Sequence, residues 1–327
     1  MKTKIIAEIG NNHGGNFDLA CEMVEAARDA GADYAKFQIY EIDEFLHKNS
    51  DYYSEFKRED LSFEGFRKIF NKYDDNQFKV IATPFDIKSA KFLLSLGIET
   101  IKIASGDIDN FLMFEEVVKK KPYIIFSTGG ASETEIHNSL NYFKNAQCRK
   151  ITMLHCIANY PANNEELNVQ RIENFKMKYA CDVGYSDHST GLTASLAAVC
   201  KGANLIEKHF TTDKSLPGGD NEMSINKKEM IEMKKIINDL EIQLGYYRKN
   251  FSKDEIITKK LITRKFYSKN LIRQGEKISS DNLIFLRTQE ENPLSFGGAD
   301  FSQLINSVAS KEILPYKLIL KSDICQI

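Results

Sequence analysis

The sequence predicts an α/β protein: a (β/α)8 TIM barrel followed by a small β-rich module. Three observations carry this expectation. Short apolar, β-branched runs recur eight times within residues 1–248, most followed by a helix-favouring stretch, and such alternation is the signature of a closed parallel sheet. Polar and ionisable residues collect at the C-terminal ends of the runs, where barrel loops converge on one mouth. No GxGxxG follows the first run, so the rival doubly wound sheet lacks its usual support.

In order, the runs are KIIAEI (4–9), DYAKFQ (33–38), FKVIAT (78–83), TIKIAS (100–105), PYIIFST (122–128), KITMLHC (150–156), ACDVGYS (180–186) and NLIEKHF (204–210). Between them lie stretches such as DLACEMVEAARDAG, SFEGFRKIFNKY and GLTASLAAVCKG, whose apolar residues recur at three and four, the helical period. Gly31, Gly97 and Gly202 stand where helix C-termini favour glycine. After IEMKKIINDLEIQLG the pattern changes, and YYRKNFSKDEIITKKLI is polar and lysine-rich. The reading is therefore a catalytic barrel over 1–248, a linker over 249–262 and a module over 263–327. In the last, LIRQGEKISSD (271–281) is echoed by ILPYKLILKSD (313–323), with Lys317 where a turn glycine would suit.

Bulk composition narrows the function classes. With 327 residues, 28% charged and a net charge of −2, neither nucleic acid nor an anionic membrane is expected as the main partner. No window approaches the ~18 apolar residues of a membrane span, and MKTKIIAEIG is too short in its apolar part for a signal peptide. A cytoplasmic location is expected. The six cysteines (Cys21, Cys148, Cys156, Cys181, Cys200, Cys325) show no CxxC spacing, so neither a zinc knuckle nor a disulfide framework is indicated.

The strand ends supply the candidate chemistry. Glu8 ends the first run, with Asn11, Asn12 and His13 after it; then come Lys36 and Gln38, Thr83, Lys102 and Ser105, Ser127 and Thr128, Tyr160, Ser186 with Asp187 and His188, and Glu207, Lys208 and His209. His188 and His209, on adjacent strands, are placed to converge on one divalent cation through neutral imidazoles. Ordinary hydrogen-bonded histidines remain the alternative, because the spacing is no recognised metal motif. Lys36, Lys102, Ser105, Ser127, Thr128 and Ser186, beside Gly106, Gly129 and Gly130, suit a phosphate or carboxylate. The same lysines also suit neutralisation of Glu8 and Glu207, and the two roles are compatible. His13 reads as a loop-shaping residue, and DYYSEFKRED as a solvated loop or helix face. Cys156 and His155 are strand neighbours, so they point oppositely and form no nucleophilic pair.

The blocks AEIGNNHGG, GADYAKFQ, ATPFD, IKIASGD, FSTGG, LHC with YP, GYSDHSTG and IEKHFT resemble, in order and spacing, the sialic acid (N-acetylneuraminate) synthases and their nonulosonate relatives. The tail resembles the antifreeze-like (SAF) module of that family. The resemblance implies a metal-dependent condensation of phosphoenolpyruvate with an N-acetylated amino sugar, typically N-acetylmannosamine. It implies that His188 and His209 bind Mn²⁺ or Mg²⁺, and that Lys36, Thr83, Lys102, Ser105, Ser127 and Ser186 hold phosphoenolpyruvate. Gln38, Asp107, Tyr160 and Asp220 would contact the sugar, and Glu8 and Glu207 would serve the chemistry. It further implies a homodimer with swapped caps, in which Arg287 reaches the partner's mouth.

Some positions depart from the family pattern. Ile157 and Ala158 stand where relatives carry small polar residues, leaving Asn159 as a substitute contact; Asp107 replaces a longer glutamate; Arg287 lacks the Pro-Gly that usually follows. These departures bear on the sugar more than on the reaction. The alternatives are a legionaminic or pseudaminic acid synthase using a 2,4-diacetamido-6-deoxy sugar, and an aldolase using Lys36 or Lys102 as a Schiff base. A sugar-binding protein with a silent barrel is the non-catalytic alternative.

Overall fold

A computed structural model of the chain describes residues 2–245 and 251–326. Eight parallel strands close into a barrel in sequence order: β1 (Lys4–Gly10), β2 (Tyr34–Ile39), β3 (Lys79–Pro84), β4 (Thr100–Ile103), β5 (Tyr123–Ser127), β6 (Lys150–Cys156), β7 (Asp182–Asp187) and β8 (Leu205–His209). Each strand lies within two residues of an expected run, with helices between, and the arrangement is that of a (β/α)8 barrel. β4 stops early because Ser105 leaves the ladder for a 3₁₀ turn, Ser105–Asp107. There its hydroxyl accepts the Gly129 N–H at 3.0 Å.

Strand alternation sorts the side chains. Ile6, Tyr34, Ile81, Ile125, Leu154 and Leu205 face the barrel axis and pack together. Their neighbours Ile5, Ala7, Ala35, Phe37, Val80 and Ile124 join the larger core against the helices. Two residues further along, toward the C-terminal ends, the inward positions become Glu8, Lys36, Thr83, Ser127, Cys156 and Glu207. Register aligns them across strands: Glu8 opposite Lys36 and His209, Gln38 opposite Thr83, and Ser186 opposite Glu207.

The helices begin where the sequence offers caps. Asn16 accepts the Asp18 and Leu19 N–H groups ahead of the helix Phe17–Asp29, which buries Ala20, Met23, Val24 and Ala27. Ser132 with Glu135, and Asn226 with Glu229, form capping boxes on Glu133–Asn145 and Lys227–Leu244.

The chain divides into two compact units, Met1–Gly245 and Tyr246–Ile327. In the second, β9 (Arg264–Ser268) pairs antiparallel with β10 (Leu283–Arg287), and β11 (Ser307–Ala309) with β12 (Ile324–Gln326). Its own core contains Phe266, Ile272, Ile278, Phe296, Leu304, Ile313 and Ile319. The internal echo is visible in space, since Ile272 bridges Ile313 antiparallel. The left-handed turn residues are Gly275 (φ +81°) and Tyr316 (φ +57°), so Tyr316, not Lys317, stands at the glycine position. Most of the described part of the stretch read as a linker, 249–262, is helical. Residues Lys253–Ile262 form a helix started by a Ser252–Glu255 capping box, a local signal that outweighs the polar composition; 249 and 250 lie outside the described residues.

Candidate active site

At the mouth of the barrel a cavity of about 230 Å³ is lined by Glu8, Lys36, Gln38, Thr83, Lys102, Ser105, Ser127, Tyr160, Ser186, His188, Glu207 and His209. Twelve of the fifteen site residues that the resemblance implies therefore meet in one place. Below the histidines lies a ring of four buried charges. Lys36 is ion-paired with Glu8, lies 3.6 Å from Glu207 Oε2, and donates to Thr83 Oγ1 at 3.1 Å. Lys102 Nζ is 3.5 Å from Glu207 Oε1, which also accepts the Ser186 hydroxyl at 2.9 Å.

The two carboxylates differ in environment. Burial pushes Glu8 up to about 7 against the pull of Lys36. Glu207 is equally buried, but Lys102 and Lys36 outweigh that burial and, with the Ser186 hydrogen bond, carry it below the usual carboxylate range. For Lys36, burial is outweighed by Glu207 and Glu8, which raise it; for Lys102 burial prevails and lowers it. Glu8 Oε1, the oxygen not paired with Lys36, and Ser127 Oγ are buried without a hydrogen-bond partner. Unsatisfied buried acceptors are rare in finished cores, so these mark room for a ligand. Gly10 keeps that room open: a Cβ there would meet Glu8 Oε1 at 3.0 Å, and its φ of +52° suits glycine.

The histidines sit across from one another, with ring centroids 5.3 Å apart. Burial lowers His188 to about 4 and His209 well below its ordinary value, leaving neutral rings at neutral pH. His188 Nδ1 lies 2.7 Å from the Ile157 carbonyl, which fixes its tautomer with the hydrogen on Nδ1 and frees the Nε2 lone pair. His209 Nδ1 faces Asp220 Oδ2 at 3.3 Å without an aligned hydrogen bond. A ligand nitrogen with its second nitrogen on a carbonyl or carboxylate is the usual metal-binding arrangement, so the pair fits a divalent ion. Among the described residues no group of three or more His, Cys, Asp or Glu gathers for a metal; the protein offers two nitrogens. Tyr160 stacks on His188 at 4.1 Å and meets His209 edge-on at 5.7 Å.

The NeuB family model matches residues 23–249. N,N'-diacetyllegionaminic acid synthase of Legionella pneumophila is 35% identical over 305 residues, 88% of this chain and 86% of that protein. The chain belongs to the NeuB family. Pseudaminic acid synthase of Campylobacter jejuni is 30% identical over 329 residues, covering 95% of this chain and 94% of that protein. Among solved structures, N-acetylneuraminic acid (sialic acid) synthetase of Leptospira borgpetersenii, crystallised with citrate, superposes with a TM-score of 0.75 at 34% identity, over 79% of this chain and 90% of the other. NeuB-family relatives thus include synthases of several nonulosonic acids.

Three of those fifteen lie outside the lining, as does Thr128, whose hydroxyl donates to the Leu154 carbonyl at 3.0 Å. Asp107 accepts from Asn110 Nδ2 at 2.9 Å, Asp220 stands beside His209, and Arg287 is in the second unit on β10. Asn159 is exposed and not part of the lining, whereas Ala158 is. Lys208, which the sequence grouped with its neighbours, points away from the mouth. It is fully buried, 3.1 Å from Asp187 Oδ2, and Asp187 also accepts from the Ser189 and Ser195 hydroxyls. His13 Nδ1 accepts the Gly15 N–H at 3.0 Å, as a loop-shaping residue does. The helix Tyr53–Glu59 is not wholly solvated, for Glu59 is buried. The sequence reading missed Cys156 and Phe85 in the lining. Cys156 Sγ lies 3.7 Å from His188 Nδ1, and counting by two from inward Leu154 would have found it. Among the described residues no helix is long and apolar enough to cross a membrane.

Proposed function

We propose that this NeuB-family chain condenses phosphoenolpyruvate with N-acetylmannosamine in its open aldehyde form, giving N-acetylneuraminate and phosphate. The observation that carries this reading is the desolvated ring of Lys36, Lys102, Glu8 and Glu207 beneath two neutral histidines. Lys36 and Lys102 supply fixed positive charge for a phosphate or carboxylate, and Thr83, Ser105, Ser127 and Ser186 supply short donors. His188 and His209 would hold Mn²⁺ or Mg²⁺. When bound, such an ion polarises the sugar aldehyde.

The chain's own groups account for the rest. As C3 of phosphoenolpyruvate bonds to the aldehyde carbon, its C2 becomes cationic and Glu207, kept anionic, stabilises that charge. Water adds to C2 and gives its proton to Glu8, whose value near 7 suits proton transfer at neutral pH, and the alkoxide left on the former aldehyde carbon takes up one proton, so that one water is consumed in all. Phosphate then leaves with C–O cleavage. A Schiff base at Lys36 is disfavoured because Glu207 and Glu8 hold it protonated, and a protonated amine is no nucleophile; at Lys102, which burial lowers, borohydride trapping with pyruvate is the test.

A 2,4-diacetamido-6-deoxy sugar is the second reading, favoured by the relatives named for legionaminic and pseudaminic acid and by apolar Phe85, Ala104 and Ala158 in the lining. Residues 263–327 we read as the SAF module, closing the mouth of a partner in a swapped, cytoplasmic homodimer through Arg287. A chain shortened to residues 1–250 that kept full turnover would remove the cap from this account. The test of the reaction is phosphate release and product mass with phosphoenolpyruvate and each sugar in turn, with and without a chelator. Metal-dependent release with a nine-carbon keto acid supports the reading; release from neither sugar overturns it.

A further inference from the structure

We propose that Asn12 is a positioning residue: together with Glu59 it clamps the Gly218–Gly219–Asp220 segment so that the Asp220 carboxylate bears on His209. The inference rests on the reading above, in which His209 holds the metal, and on the sugar contact that the family resemblance implies for Asp220.

Asn12 is 2% exposed and every polar atom of its side chain is used. Its Nδ2 donates to the Phe210 carbonyl and the Ser224 hydroxyl, both at 2.9 Å, and its Oδ1 accepts the Asp220 N–H at 2.7 Å. Its backbone carbonyl accepts from Asn221 Nδ2 at 3.2 Å. One residue of the first strand's loop thus holds both sides of the loop that follows β8. Phe210 is the residue after His209, so the same amide ties the metal-facing strand end to the segment carrying Asp220.

Glu59 holds the segment from the other side. It is 4% exposed at the end of its helix, and its carboxylate lies close against the Gly218 backbone. The two glycines permit the close approach. A Cβ on Gly218 would come within 2.6 Å of Glu59 Oε1, and one on Gly219 within 2.7 Å of Asn12 Oδ1. Both carry positive φ, +77° and +53°, which glycine adopts without strain. The segment is held on two sides, and the carboxylate it delivers ends 3.3 Å from His209 Nδ1, close to it without an aligned hydrogen bond. A carboxylate on the far nitrogen of a ligand histidine orients the ring and strengthens the ligand.

The experiment is a double-mutant cycle of Asn12→Ala and Asp220→Asn, reading Mn²⁺ affinity of the full chain by electron paramagnetic resonance, with KM for each substrate alongside. Asn12→Ala is expected to weaken Mn²⁺ binding and raise the amino-sugar KM by about tenfold each, while the phosphoenolpyruvate KM moves less than about twofold. In the Asp220→Asn background, Asn12→Ala should add little, because its effect travels through Asp220. Gly219→Ala, which pushes the same segment away from Asn12, should reproduce the pattern if Asn12→Ala fails to fold. Full additivity, or a phosphoenolpyruvate KM that rises in step, overturns the clamp. If Asp220→Asn alone changes neither Mn²⁺ affinity nor sugar KM, the underlying reading of Asp220 fails instead; if Asp220→Asn is harmful and Asn12→Ala harmless, only the clamp fails.

Discussion

Lysines line both ends of the barrel. At the floor, the first inward positions of β1, β3 and β6 are Lys4, Lys79 and Lys150, around a cavity of about 550 Å³, more than twice the 230 Å³ at the mouth. The floor cations are exposed and separately matched: Lys79 is 3.0 Å from Asp74, Lys150 is 2.9 Å from Asp182, and Lys4 lies over the Tyr34 ring. The mouth cations Lys36 and Lys102 are each 3% exposed, share Glu207, and sit beside acceptors with no partner. Size and charge alone would have favoured the floor. Desolvation with spare hydrogen-bonding capacity is what marks the mouth, because there each charge is worth several times more than in water and the unmet groups await a ligand.

Substitutions at the two ends sharpen that contrast. His209→Ala is expected to lower turnover about 10³-fold, a loss of the size seen when an electrostatic stabiliser is removed, whereas Lys79→Met should change it less than about twofold; steady-state phosphate release measures both. Equal losses would erase the distinction between the ends.

The next effect is on stability. Lys208 is as buried as the mouth lysines but faces outward, so Lys208→Met should strand Asp187 without a counter-charge and cost about 3 kcal/mol, read from denaturant midpoints. Lys150→Gln at the floor should cost no more than about 1 kcal/mol, since its pair is half exposed.

Acidity gives a smaller effect with a defined sign. Glu8 keeps its proton to about 7 in the fold, while the unfolded chain releases it near 4.5. Over that window the native state binds more protons, so the contribution of Glu8 to stability falls as pH rises. His188 does the opposite. Its fold value near 4 lies below the ordinary 6.5, the unfolded chain binds the proton first, and stability falls as pH drops from 6.5 to 4. Urea midpoints of Glu8→Gln against the parent should therefore diverge in favour of the variant as pH rises from 4.5 to 8; a constant difference would mean that Glu8 is not shifted.

Much of this was legible in the residues. Strand runs and helix periods carry the barrel because burial on alternate faces leaves a direct trace in sequence, and the strand-end positions of Glu8, Lys36 and Glu207 pointed to the mouth. Three things were not legible. The direction of Lys208 was obscured by its ionisable neighbours, though alternation contained it. The helix 253–262 was hidden by lysine-rich composition, because only its cap announces it. The contact of Asn12 with Asp220 spans 208 residues, and no local pattern records a pairing between loops so far apart.

The most direct test of the central claim is calorimetric titration of phosphoenolpyruvate into the parent chain, Lys102→Met and Lys79→Met. Binding lost in Lys102→Met and retained in Lys79→Met is the predicted result. Binding that survives at the mouth variant and disappears at the floor variant would contradict the account.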